Sequence, residues 1–138
     1  MKKQLTFATM LLFIIAGITT GCKKESGESR TLKKKIEGKW LVSKIESKVE
    51  GGETKVYTGL AADFIEFRND ENDQLDVNIN GKRNLGSYAV LATDGLEISI
   101  PGEQLSCNVT TVNDSTLEFS ATVELSKPQE TRKYYLHR

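Results

Sequence analysis

Few residues in this sequence have the type and spacing to do chemistry. There are two cysteines, Cys22 and Cys107, and one histidine, His137. That set cannot complete a four-ligand zinc site. No serine sits in a G-x-S-x-G elbow, and a histidine-based triad would have to recruit His137. The glycines stand at turns rather than in a phosphate-cradling loop. The acidic run Asp70 to Asp76 lacks the glycine and terminal glutamate of a calcium hand and reads as a solvated turn. The expectation is a protein with no catalytic constellation, no metal and no cofactor, hence not an enzyme. Two features remain. Cys22 closes a long apolar run. Arg132 and Tyr134 share one face of an extended segment, where a guanidinium and a phenol could converge on one anion.

The run before Cys22 has the build of an export signal. Lys2 and Lys3 precede an uncharged stretch, Leu5 to Ile18, too short to span a bilayer as a stable helix. It ends in Ile18-Thr19-Thr20-Gly21-Cys22. That ending resembles the bacterial lipobox, although Thr19 stands where leucine is usual. The resemblance implies cleavage between Gly21 and Cys22 and diacylglycerol on the Cys22 thiol, with palmitate-like chains as the membrane anchor. Several acyl chains on one residue make such an anchor effectively permanent. If Cys22 carries lipid, Cys107 has no partner in the chain. Its alternation with apolar neighbours in Leu105-Ser-Cys-Asn-Val109 suits a buried thiol.

Three segments follow: a lipoprotein signal peptide at 1–21, a lipidated cysteine with its tether at 22–31, and one domain at 32–138. Removing residues 1–21 from the 138 leaves 117. Lys2 and Lys3 go with them, so 17 basic residues face 19 acidic ones, a net charge of −2. A near-neutral chain gives no footprint for nucleic acid. Residues 23–30 are charged and small and cannot bury enough to order themselves. Lys23 is not the aspartate that retains similar lipoproteins at the inner membrane, so the outer membrane is expected. Lys24-Glu25 resembles the charged surface-export signals of Bacteroidota lipoproteins, with the periplasmic and surface faces both open.

The domain must position whatever site exists, and its pattern is that of strands. Leu32 and Ile36, four apart, suit a short helix. From Trp40 the period becomes two: Leu41, Ser43, Ile45 and Ser47 alternate with Trp40, Val42 and Lys44. Further strands are read at 54–58, 63–68, 75–80, 82–91, 96–100, 104–112, 117–123 and 132–137, broken at turns such as Asn80-Gly81, Asp94-Gly95 and Pro101-Gly102. Short connections make sequence neighbours antiparallel neighbours. These segments make about eight or nine strands, and the expected fold is all-β: an antiparallel eight-stranded meander closed into a barrel, with the short helix at its closed end. Closure removes the edges an open sheet would expose. A sandwich and a half-open curved sheet are the alternatives.

A helix leading into Gly38-Lys39-Trp40 at the start of such a meander resembles the lipocalin and fatty-acid-binding (calycin) families. Gly86-Ser87-Tyr88, followed by Asp94-Gly-Leu-Glu-Ile98, resembles the compact lipocalin-like domains of small Bacteroidota lipoproteins. The resemblance implies that Gly38 lets the backbone enter tightly and that Trp40 plugs the barrel base. In these families a late arginine stacks on that tryptophan, which would put Arg132 at the base. Fatty-acid-binding proteins instead use an R-x-Y in the last strand to grip a carboxylate, a role Arg132 and Tyr134 match. A solvated strand end is the third reading. Asp114-Ser115-Thr116 matches a short O-glycosylation pattern of Bacteroidota lipoproteins; a plain polar turn is the other reading.

Eight strands leave an interior just wide enough for side chains or one small ligand. Phe64, Phe67, Tyr88, Phe119, Arg132 and Tyr134 are the candidates to fill or line it, and a filled core is expected before an open cavity. The function expected is a membrane-anchored envelope protein that binds a small apolar or amphipathic ligand. The alternative is a filled-core structural or protein-interaction module. The partners are then the membrane, a hydrophobic ligand or another envelope protein.

Overall fold

The structure, a computed structural model, describes residues 27–138, with side chains from Thr31. The readings at Gly21 and Cys22 lie outside the described residues. A helix, α1 (Gly27–Ile36), is followed by nine strand segments: β1 (Gly38–Val49), β2 (Thr54–Thr58), β3 (Phe64–Phe67), β4 (Gln74–Ile79), β5 (Lys82–Leu91), β6 (Gly95–Ile100), β7 (Glu103–Val112), β8 (Thr116–Val123) and β9 (Glu130–His137). β1 pairs antiparallel with both β2 and β3, each strand from β3 to β9 pairs antiparallel with the next, and β9 returns to pair with β1. The result is a closed eight-stranded meander barrel, because β2 and β3 share one flank of β1. β2 covers Lys44 to Lys48 of β1, and β3 covers Gly38 to Leu41. They behave as one strand interrupted by the corner at residues 59–63.

β1 does not keep a single alternation. Its pairing with β9 shifts between Val42 and Lys44, leaving Ser43 as a bulge. Trp40 and Val42 face inward before it, and Ile45 faces inward after it. A strict period of two puts Ile45 on the face opposite Trp40; the extra residue corrects that by changing parity. The β2–β3 corner crosses this bulge closely: the Gly59 amide donates to the Ser43 carbonyl (2.9 Å) and the Val42 amide to the Asp63 carbonyl (3.1 Å). A Cβ on Gly59 would lie 1.8 Å from the Val42 carbonyl oxygen. Gly59→Ala is therefore expected to cost about 1–3 kcal/mol of stability as overpacking. The urea midpoint should fall while the slope stays unchanged.

The base of the barrel is solid. Leu32 and Ile36 of α1, Trp40, Phe67, Leu75, Leu117 and Leu136 are all buried there or just above. The Asn80-Gly81 turn between β4 and β5 has positive φ at both residues (53° and 74°), as its sequence requires. α1 begins at Gly27 and so takes in Gly27 to Arg30, which composition assigned to the tether. Anchoring of Leu32 and Ile36 fixes the helix, and the turn before them needs no burial of its own. Among the described residues the core runs from Leu32 to Leu136 and draws on every strand but the short β2, which packs Tyr57 against it.

Candidate functional site

The two ends of the barrel differ, and the site follows from that difference. At the closed end Trp40 is fully buried, and its indole Nε1 donates to the Ile36 carbonyl (2.7 Å), tying β1 to the C-terminus of α1. Gly38 turns the chain out of the helix with φ +103°. A guanidinium does lie on the tryptophan, 3.9 Å from the ring, but it belongs to Arg138. Arg138 also donates to the carbonyls of Glu37 (2.8 Å) and Asp114 (3.0 Å), so it clamps the helix end and the β7–β8 turn. Arg132 is not at the base. It stands six residues back along β9, opposite Ser47 of β1 rather than beside Trp40.

The open half contains a cavity of about 520 Å³. An interior filled throughout, the first expectation from eight short strands, is therefore corrected: Trp40, Phe67 and Tyr88 fill the base, while Phe119 and Tyr134 line the cavity without filling it. Leu75, Ile98, Leu105 and Phe119 give the cavity an apolar floor and wall. Glu103, Glu130, Arg132, Lys82 and Asn84 supply its polar part. Tyr134 stacks on Phe119, with ring centroids 4.6 Å apart and planes 16° from parallel.

The six residues expected to line the interior separate into three groups. Phe119, Arg132 and Tyr134 line the cavity. Phe67 and Tyr88 pack edge to face, 5.1 Å apart, in the filled base. Burial pushes the Tyr88 phenol up to about 12, and its hydroxyl donates to the Arg68 carbonyl. Phe64 is outside: Ile65 and Phe67 take the inward positions of β3, and Phe64 lies under the Lys39 ammonium on the outer face. Phe64 and Phe67 are three apart, so on a strand they cannot share a face.

Arg132 is held by acidic neighbours. Its Nε donates to Glu130 Oε1 (2.7 Å), and its two terminal nitrogens donate to both oxygens of Glu103 (2.6 and 2.9 Å). The Tyr134 hydroxyl lies 3.5 Å from Nη1. Burial alone would lower the guanidinium's pKa; the two carboxylates outweigh it and raise the pKa above its ordinary value. Nothing near Arg132 in the sequence marks Glu103 as its partner, because Glu103 sits two strands away on β7.

Other reactive groups are placed away from this cavity or are quiet. Cys107 is buried, and loss of solvent pushes its thiol up to about 12, which suits an inert packing group. His137 Nδ1 shares a hydrogen bond with Ser43 Oγ (2.7 Å) at the exposed β1 bulge, on the outer surface. The acidic run is occupied by protein donors: Asp70 accepts from the Asn72 and Gln74 amides, Asp73 pairs with Lys33, and Asp76 pairs with Arg68 and Arg83. Ser115 is exposed in the β7–β8 turn, which is organised by the Asn113 side chain.

Sequence reasoning missed Asp63, which ties the open half together. It is buried, yet it accepts from the Tyr57 hydroxyl of β2, the Leu60 amide of the corner (2.8 Å) and the Asn80 amide of the β4–β5 turn (2.9 Å). Nothing in its local sequence marks it, since its partners are set by the corner and by a turn seventeen residues on.

No family model matches the sequence, and no curated protein is similar to it. Among solved structures the chain is similar to a redesigned beta barrel, with 16% identity, a TM-score of 0.47, and coverage of 77% of this chain and 93% of that one.

Proposed function

We propose that this barrel binds a small apolar or amphipathic molecule in its open half, as a non-catalytic, lipid-anchored protein of a bacterial outer membrane. The observation that carries the reading is the cavity of about 520 Å³ above a solid base. Its size falls within the few hundred cubic ångströms usual for small-molecule sites, and it pairs an apolar floor with a few polar groups. The lipocalin-like resemblance supports the reading, with Trp40 at the base and Arg132 and Tyr134 in the cavity.

An uncharged dye that fluoresces in apolar surroundings, N-phenyl-1-naphthylamine, tests the cavity. The protein is expected to take up the dye. Ile79→Trp and Ile100→Trp, which place an indole on the cavity wall, should weaken uptake by about tenfold or more, a loss of roughly 1.4 kcal/mol. Absence of uptake by the unsubstituted protein would turn the reading to a structural or protein-interaction module with no small-molecule ligand. The anchor is tested separately on the full chain in a bacterial host. Its mass spectrum should show Cys22 as the first residue, carrying diacylglycerol, and Cys22→Ala should leave the leader uncut.

A further inference from the structure

We infer that the cavity selects an amphiphile whose polar end donates hydrogen bonds, an alcohol or a protonated amine, and discriminates against one ending in a carboxylate. The inference rests on the cavity being a ligand site and concerns what that site accepts.

The argument starts from the donors of Arg132. A guanidinium has five N–H groups and grips a carboxylate through two of them in parallel. Here Glu103 already holds that fork, with bonds of 2.6 and 2.9 Å, and Glu130 holds Nε at 2.7 Å. Another terminal N–H points toward the Tyr134 hydroxyl. No parallel pair remains for an incoming carboxylate. Such a group would have to displace Glu103 and then sit beside both displaced and remaining glutamate charges.

The charge balance points the same way. Two carboxylates surround one guanidinium, so the cluster carries a net charge of −1. The other cation of the cavity wall is Lys82, on β5, and it is exposed. Water and salt screen an exposed ammonium, whereas the cluster is about three-quarters shielded. An ionised carboxylate offers about four acceptor directions. Arg132 uses two on Glu103 and one on Glu130, so acceptor capacity is left over at the polar end of the cavity. The Arg132 cluster thus offers spare acceptors and no free donor fork.

Three twelve-carbon probes of equal tail decide the matter: dodecanol, dodecylamine and dodecanoate, each displacing N-phenyl-1-naphthylamine from the protein below its solubility or micelle limit. At about pH 7.5 the amine is protonated and the acid ionised. The alcohol and amine are expected to bind at least about tenfold more tightly than dodecanoate. Glu103→Gln and Glu130→Gln, measured separately so that one folded variant suffices, should each narrow that gap about threefold or more by relieving the negative charge. Dodecanoate binding as tightly as the other two overturns the inference and leaves the cavity reading intact. A preference that neither variant alters also overturns it. If the dye binds and no probe displaces it, the inference fails as well; if the dye itself does not bind, the cavity reading fails first.

Discussion

Trp40→Ala is expected to remove about 4 kcal/mol of stability, the largest effect of any single truncation in this protein. The indole is fully buried, so its removal leaves a cavity at the junction of α1 and β1. Two further losses come with it. The Ile36 carbonyl at the end of the helix loses its donor, and the Arg138 guanidinium loses the ring it covers. Since a small domain holds only about 5–15 kcal/mol in total, the variant should be close to unfolding at 37 °C. Trp40→Phe separates the contributions. It keeps a ring but not the N–H, and should cost about 1–2 kcal/mol. Urea unfolding must be followed by circular dichroism, because Trp40 is the one tryptophan in the chain and its fluorescence leaves with it.

The second large effect belongs to Asp63. Asp63→Ala would strand the Tyr57 hydroxyl and the Leu60 and Asn80 amides together, and is expected to cost about 3 kcal/mol. The loss should fall on the open half. Among the described residues β2 has no strand partner except β1, and the Asp63 carboxylate is what ties its Tyr57 to the β4–β5 turn. Hydrogen exchange is the discriminating measurement: amides of 54–62 and 79–82 should lose protection before those of β7 and β8.

The same carboxylate makes an acid prediction with a definite sign. Burial would raise the Asp63 pKa, but its three hydrogen bonds outweigh that and hold it below the ordinary value. Asp76 is also held low, first by its hydrogen bonds from Arg83 and despite burial. A carboxylate depressed in the folded state contributes stability above its unfolded pKa, near 4, and that contribution is lost as pH falls through the folded pKa. Stability should therefore decline below about pH 4, and Asp63→Asn should flatten that decline as well as lower the plateau.

Much of the fold was legible because its signals are local. Asn80-Gly81 and Pro101-Gly102 need turn geometry wherever they occur, and the strands between such turns alternate cleanly. What was not legible depends on residues far apart. The Ser43 bulge changes the parity of β1 without any special residue at that position. β2 and β3 read as two strands, and only their common pairing with β1 makes them one. The resemblance pointed to Arg132 as the arginine on Trp40; the β1–β9 register gives that role to Arg138 instead. The cavity could not be read from composition at all. Its volume is what remains after Phe67 and Tyr88 pack in the base, Phe64 turns outward, and Glu103 draws the Arg132 side chain to itself.

The β1–β9 seam is a ring closure, and this has a thermodynamic consequence. Ser43 and His137, which meet across it, are 94 residues apart. Joining ends over that span costs about 4 kcal/mol of chain entropy, whereas each hairpin closes cheaply. Isolated hairpins are marginal in water, so cooperative folding depends on the seam forming. The interior does not exist until the ring is shut. A molecule bound inside therefore acts as a latch on the whole circle: it adds RT ln(1 + [L]/Kd) to global stability rather than stiffening one loop. Occupancy should be readable at the far side of the barrel, as slower opening of strands that never touch the bound molecule.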